Sequence, residues 1–197
     1  MNLPDIPPLV LAGLVGALLV ALAAVAGWRF WQRYRARRAL LDRIESVSSA
    51  HLQDVILPDG NGGWFHVDFL LLTTAGIIVV DLRDLPGLIF GSEQMTEWTV
   101  MHKNQRTTFA NPLGPLYDRV AVVRMLAGDG VPVEGRVVFT DRGSFPKGHP
   151  EAVLRLASLA GELPPATGPG ADSALGALAP AWDKVRSAAT PSPLRRR

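Results

Sequence analysis

WFHVDFLLLTTAGIIVVDLR, residues 64–83, decides the fold of this chain. Trp64–Leu72 and Ile77–Arg83 are rich in Val, Ile, Leu and Phe and read as strands, with Thr73-Thr74-Ala75-Gly76 as the turn between them. The two strands make a hairpin with Leu72 opposite Ile77. Side chains alternate along a strand, so His66, Asp68 and Leu70 share one face, and Ile77, Val79, Asp81 and Arg83 share another. This register predicts Asp68 opposite Asp81 and His66 opposite Arg83.

Directly opposed residues in an antiparallel pair have Cβ atoms about 4.5–5.5 Å apart. Two carboxylates at that distance repel unless something positive lies between them. A divalent cation is one solution, because Mg²⁺ commonly takes one or two protein carboxylates plus water and a substrate phosphate. Such an ion acidifies a water and stabilises the charge of a phosphodiester transition state. The plainer alternative pairs Asp68 with Arg83 or His66 and leaves Asp81 facing solvent.

Outward from the hairpin, His51–Leu57 reads as a preceding strand, ended by the turn-forming cluster Pro58-Asp59-Gly60-Asn61-Gly62-Gly63. Short strands are expected at Leu88–Phe90 and Glu97–Met101. A helix follows from Pro112 to about Ala127, with Leu113, Leu116, Val120, Val123 and Leu126 on one stripe. Gly135–Thr140 reads as a buried strand and Pro150–Leu159 as a short helix started by proline. From Gly161 the composition turns to Pro, Gly and Ala, which predicts a flexible tail over 161–197, with one helical segment near Ala181–Ala188 and an Arg-rich end. The ordered domain is therefore expected over 42–160, of α/β class.

The N-terminal region has a different character. Residues 9–28 carry no charged side chain, and twenty residues of helix span roughly 30 Å, the thickness of a bilayer's hydrocarbon core. Arg29, Arg33, Arg35, Arg37 and Arg38 follow at once, and Trp28, Phe30, Trp31 and Tyr34 suit a headgroup belt. The reading is a short extracytoplasmic segment (1–8), a transmembrane helix (9–28) and a basic juxtamembrane helix (29–41). That makes a single-pass, N-out/C-in protein of the inner membrane, touching lipid through residues 9–38. A cleaved signal peptide is disfavoured, since no basic segment precedes the apolar run.

The whole chain has a formal net charge of +2, yet residues 39–197 hold 15 Lys and Arg against 17 Asp and Glu. The domain thus lacks the strongly basic footprint of a tight nucleic-acid binder. The absence of cysteine excludes disulfides and thiolate zinc sites. His51, His102 and His149 fall on separate elements, and nothing joins them into a metal site.

Residues 54–98, followed by Phe109-Ala110-Asn111-Pro112-Leu113, resemble a nuclease-related domain (NERD), a family similar to the restriction-endonuclease-like PD-(D/E)xK fold. The matching pieces are Leu57-Pro58, the glycine-rich turn, Val67-Asp68, Thr73 to Gly76, the triplet Asp81-Leu82-Arg83, the segment Gly87 to Gly91, Trp98, and Asn111-Pro112-Leu113. The resemblance covers roughly residues 45–127 and implies a central mixed sheet flanked by helices. It also implies that Asp68 and Asp81 bind Mg²⁺, that Glu45 is the glutamate of the first helix, and that nucleic acid is the partner. Three positions depart from the family pattern: Arg83 replaces the triplet's lysine, Pro115 stands where a glutamine is usual, and Glu45 lacks the neighbouring glycine. Guanidinium stays protonated, so Arg83 can hold a phosphate but does not serve as a general base. Lys103, the one lysine between the triplet and Asn111-Pro112-Leu113, reads as a solvated loop residue. Two functions follow. One is a membrane-anchored, Mg²⁺-dependent nuclease with a degenerate site, in which Asp68, Asp81, Arg83 and Glu45 act. The other is a catalytically inactive, membrane-tethered interaction module with a nuclease-like fold.

Overall fold

In the computed structural model the described residues are 8–60, 62–163 and 167–193, with the backbone alone described for 8–19, 32–34, 36–37, 40 and 45. The chain divides into two units, one ending at Asp42 and one starting at Arg43. Helix α1 (Pro8–Val47) runs unbroken through the arginine cluster, because RRALLDRIES contains neither Pro nor Gly. Within its first unit, Arg35 lies over the Trp31 ring at 3.9 Å, a cation–π contact one helical turn apart.

The membrane expectation is overturned here. No helix among the described residues is long and apolar enough to cross a membrane. The single-pass inner-membrane placement is therefore withdrawn, and the lipid contact through residues 9–38 rested on it. Residues 1–7 lie outside the described residues, as do the side chains of the first half of the expected span.

In the second unit, β1 (Ala50–Pro58), β2 (Trp64–Thr73) and β3 (Gly76–Arg83) form an antiparallel meander. The hairpin has the expected register, with Leu72 opposite Ile77. Its turn is held by the Thr73 hydroxyl, which donates to the Gly76 carbonyl at 2.9 Å. Gly76 has φ +138°, and a Cβ there would run into the Pro132 carbonyl, so no other residue fits.

After β3 the chain leaves the sheet. It builds β4 (Gly87–Phe90), β5 (Glu97–His102), β6 (Gln105–Ala110) and helix α2 (Leu113–Ala127), then returns as β7 (Val133–Phe139), parallel to β3. Beyond it come β8 (Gly143–Ser144), β9 (Val153–Arg155), α3 (Leu159–Glu162), α4 (Ala171–Ala188) and β10 (Thr190–Pro191). One mixed sheet has the order β10-β1-β2-β3-β7-β9, and a smaller one the order β6-β5-β4-β8.

Alternate positions of the larger sheet are buried on both faces. Leu70, Leu72, Ile77, Val79 and Val137 join a core with Leu116, Val120 and Val123 of α2, while Phe69, Leu71, Ile78, Val80 and Val138 are buried as well. That is why the central strands are continuous apolar runs instead of alternating ones. In the smaller sheet Trp98 is fully buried, stacks on Phe139 with centroids 6.3 Å apart, and donates its indole N–H to the Ser92 carbonyl. A Cβ at Gly91 would collide with its ring.

Three stretches differ from expectation. Pro150–Leu159 is not a helix: Val153–Arg155 extends as β9 beside β7, with Val137 opposite Val153, and only then does the chain turn helical. The apolar Val153 and Leu154 are both buried, so a parallel strand satisfies them better than one face of a short helix. Within the Pro/Ala/Gly-rich tail, α4 is a folded helix of 18 residues that buries Ala171, Ala181, Trp182 and Val185. Strand β6 was not anticipated, because QRTTFA is polar and lies on an exposed edge.

Candidate functional site

The β2–β3 ladder stops at Phe69 opposite Val80, one position before the two acids. Beyond that point the strands part and side chains take over the bonding. The backbone N–H of Leu82 donates to Asp68 Oδ2 at 2.9 Å, so this carboxylate replaces a ladder carbonyl. Strand β3 meanwhile stays paired with β7 as far as Arg83 opposite Phe139. The expected face-to-face pairing of Asp68 with Asp81 is therefore replaced by a split hairpin end with both acids lining it.

Asp81 does not face solvent. Its side chain is only 5% exposed, and its Oδ2 accepts from Arg83 Nη2 at 2.8 Å and from Arg119 Nη1 at 3.2 Å. Arg119 also donates its Nε–H to the His66 carbonyl at 2.7 Å. One guanidinium from α2 thus bridges β2 and β3 where their own ladder has ended. Arg83 is strained in another sense: its Nε is buried with no hydrogen-bond partner.

His66 does not meet Arg83 across the hairpin. Its Nε2 lies 2.6 Å from Asp54 Oδ1, and its Nδ1 lies 3.7 Å from Asp68 Oδ1. Asp54 belongs to β1 and falls between the pairs Gln53–Phe69 and Val55–Val67, that is, opposite Asp68. Its φ is +55°, a left-handed conformation inside a strand that costs an aspartate about 1 kcal/mol. The site therefore holds three acids (Asp54, Asp68, Asp81) and three basic side chains (His66, Arg83, Arg119).

Glu45 lies in the last turns of α1, and its side chain is outside the described residues. Lys103 sits far along the chain from these groups, in the exposed turn between β5 and β6. Asn111 accepts from the Leu113 N–H at 3.0 Å and donates to the Met95 carbonyl at 2.7 Å, holding the start of α2 against the smaller sheet.

The donor set does not fit Mg²⁺ as it stands. Asp81 already accepts from two guanidinium groups, and an oxygen of Asp68 is committed to a backbone amide. The described residues contain no group of three or more His, Asp or Glu that could hold a metal ion.

Arg119 and Asp54 were not singled out in the sequence. Arg119 had a readable signal, since it borders the Leu116-Val120-Val123 stripe of a helix packed on the sheet, where a charged group needs a partner. Asp54 had none, because six turn residues separate its strand from β2 and leave the register open.

Residues 32–140 match the family model described as nuclease-related domain, NERD. An uncharacterized protein of Bacillus anthracis is 22% identical over 121 residues, covering 61% of this chain and 57% of that protein. The chain thus spans little more than half the length of the curated relative it matches. No solved structure matches it. With more than half of the chain matched by the model, and with the hairpin and its Asp81-Leu82-Arg83 triplet inside the match, this protein belongs to the nuclease-related domain family.

Proposed function

We propose that this chain is a nuclease-fold protein that engages nucleic acid without hydrolysing it. The observation that carries the reading is the double guanidinium clamp on the buried Asp81 carboxylate. In a metal-dependent phosphodiesterase the acids hold a cation that polarises water and phosphate. Here two guanidinium groups neutralise Asp81, a backbone amide holds Asp68, and Arg83 stands where a lysine could have taken a proton. Membership of a nuclease-related family supports nucleic acid as the partner class. The exposed part of the Arg83 guanidinium offers hydrogen-bond donors to phosphate oxygens.

The test uses the full chain with labelled DNA and RNA in Mg²⁺, in Mn²⁺ and in a chelator. Binding in all three conditions with no cleavage is expected. Cleavage that requires metal and vanishes in Asp68→Asn/Asp81→Asn would establish the second reading, a Mg²⁺-dependent nuclease. One observation favours that alternative: Asp68 and Asp81 line the same split hairpin end on neighbouring strands. It requires the arginines to leave Asp81, and in that case Arg83→Lys should raise the rate.

A further inference from the structure

The β5–β6 hairpin takes no part in the acid–arginine cluster, yet it carries the more unusual backbone. His102 pairs with Gln105, leaving Lys103 and Asn104 as a two-residue loop with φ of +48° and +62°. Two positive φ values define a type I′ turn, in which asparagine and glycine are the favoured residues. Lysine is not one of them, and holding it left-handed costs about 1 kcal/mol relative to glycine. The hairpin is polarised along its length. Its base carries Glu97, opposite Ala110, whereas Lys103 and Arg106 lie at the tip and residues 98–110 contain no acid. Both cations are exposed and have no ion pair among the described residues. A charge at an exposed edge discourages edge-to-edge pairing, but that does not require a lysine at the left-handed turn position.

The tip is tethered within reach of the candidate site. Met101 pairs with Leu88, and a Cβ on Gly87 would meet the Met101 carbonyl and His102, so the tip packs against the start of β4. Gly87 follows Arg83 by four residues, a span of at most about 14 Å of chain. About four base-pair steps of a duplex cover that distance. Asp84, the acid between Arg83 and Gly87, is already held by the Thr140 hydroxyl at 2.6 Å and by Arg142 at 2.8 Å, so it does not offset the tip.

We infer that the β5–β6 hairpin is a phosphate-tracking arm: Lys103 and Arg106 grip the backbone of a nucleic acid and hold it across the split end of β2–β3. The partner is a duplex, whose regularly spaced phosphates suit a two-stranded ribbon. The inference rests on the proposed nucleic-acid function and adds where the contact is made.

The test is fluorescence anisotropy of the full chain with a short labelled DNA duplex, titrated between about 50 and 200 mM salt. Lys103→Glu/Arg106→Glu is compared with Lys184→Glu/Arg186→Glu, which makes the same charge change on α4. The hairpin reversal should weaken binding at least tenfold and lower the salt slope by about 2, one for each lost phosphate contact. The α4 reversal should leave the slope unchanged. Lys103→Gly removes the cation from a backbone that glycine prefers, so loss of affinity with undiminished thermal stability separates contact from misfolding. Equal losses in both reversals overturn the arm while leaving nucleic-acid binding intact. Preference for the single strand overturns the duplex assignment. No binding by the unaltered chain overturns both the arm and the proposed function.

Discussion

The two hairpins of this protein treat charge in opposite ways. β2–β3 is central, apolar on both faces along its ladder, and closes on Gly76. Its charged residues are confined to the end where the ladder stops, and there each buried or half-buried acid is matched by a basic side chain. β5–β6 lies at the edge of the smaller sheet, its last strand is almost wholly exposed, and its cations are left to solvent. Burial explains the contrast. A carboxylate in a low-dielectric interior must find a partner or become neutral, whereas a lysine in water needs none. A charge that folding does not require is the one available to a ligand.

The comparison can be broken at several points. Leu70→Ala, in the fully buried part of β2, should cost about 4 kcal/mol in chemical denaturation. The same truncation at the exposed Met101 of β5 should cost a small fraction of that; equal losses would mean the second hairpin is as integral to the core as the first. Arg119→Ala should destabilise by about 3 kcal/mol, because it leaves buried Asp81 with one guanidinium and His66 without its carbonyl donor. Adding Asp81→Asn should restore part of that loss, and no recovery in the double mutant would show that Arg119 acts through the His66 carbonyl and packing rather than through Asp81. Lys103→Gly should hold or raise stability by up to about 1 kcal/mol, and a clear loss would mean that the turn lysine serves the fold.

The smallest effect concerns Asp141. Burial pushes its carboxyl up, but the hydrogen bond from Arg43, the Ala157 amide and the charges of Arg43 and Arg155 outweigh this and hold it below the usual carboxylate range. The group therefore adds stability above the ordinary carboxylate pKa, and that increment is lost as pH falls through its lowered value. Because the pair is substantially exposed, the acid limb of the stability profile should shift only slightly in Asp141→Asn. Loss of the shift in high salt would assign it to the Arg43 and Arg155 charges.

How much of this was legible varies by element. The β2–β3 register could be read because a four-residue turn fixes it and because Leu72 and Ile77 begin unbroken apolar runs. Helix α2 was legible for a similar local reason, since Leu113, Leu116, Val120 and Val123 of its apolar stripe are all buried. The membrane span was not sustained, since an apolar composition and a basic flank describe a segment's preference and not the helix it joins. β6 and β9 were missed because a polar edge strand and a three-residue strand carry almost no period of their own. The end of α4 was expected near Ala181–Ala188, where Trp182 and Val185 are buried, but its first half was hidden by Pro- and Gly-rich surroundings.

The sequence by itself determined the family, the central hairpin and the identity of the two acids, because these depend on residues close together in the chain. Only the tertiary structure decided which groups those acids meet. Arg119 reaches Asp81 from a helix 38 positions away, and Asp54 meets His66 through a strand register that no local pattern fixes. Whether a carboxylate awaits a metal or is already neutralised depends on which cations the fold brings within about 3 Å, and that is a property of packing rather than of spacing.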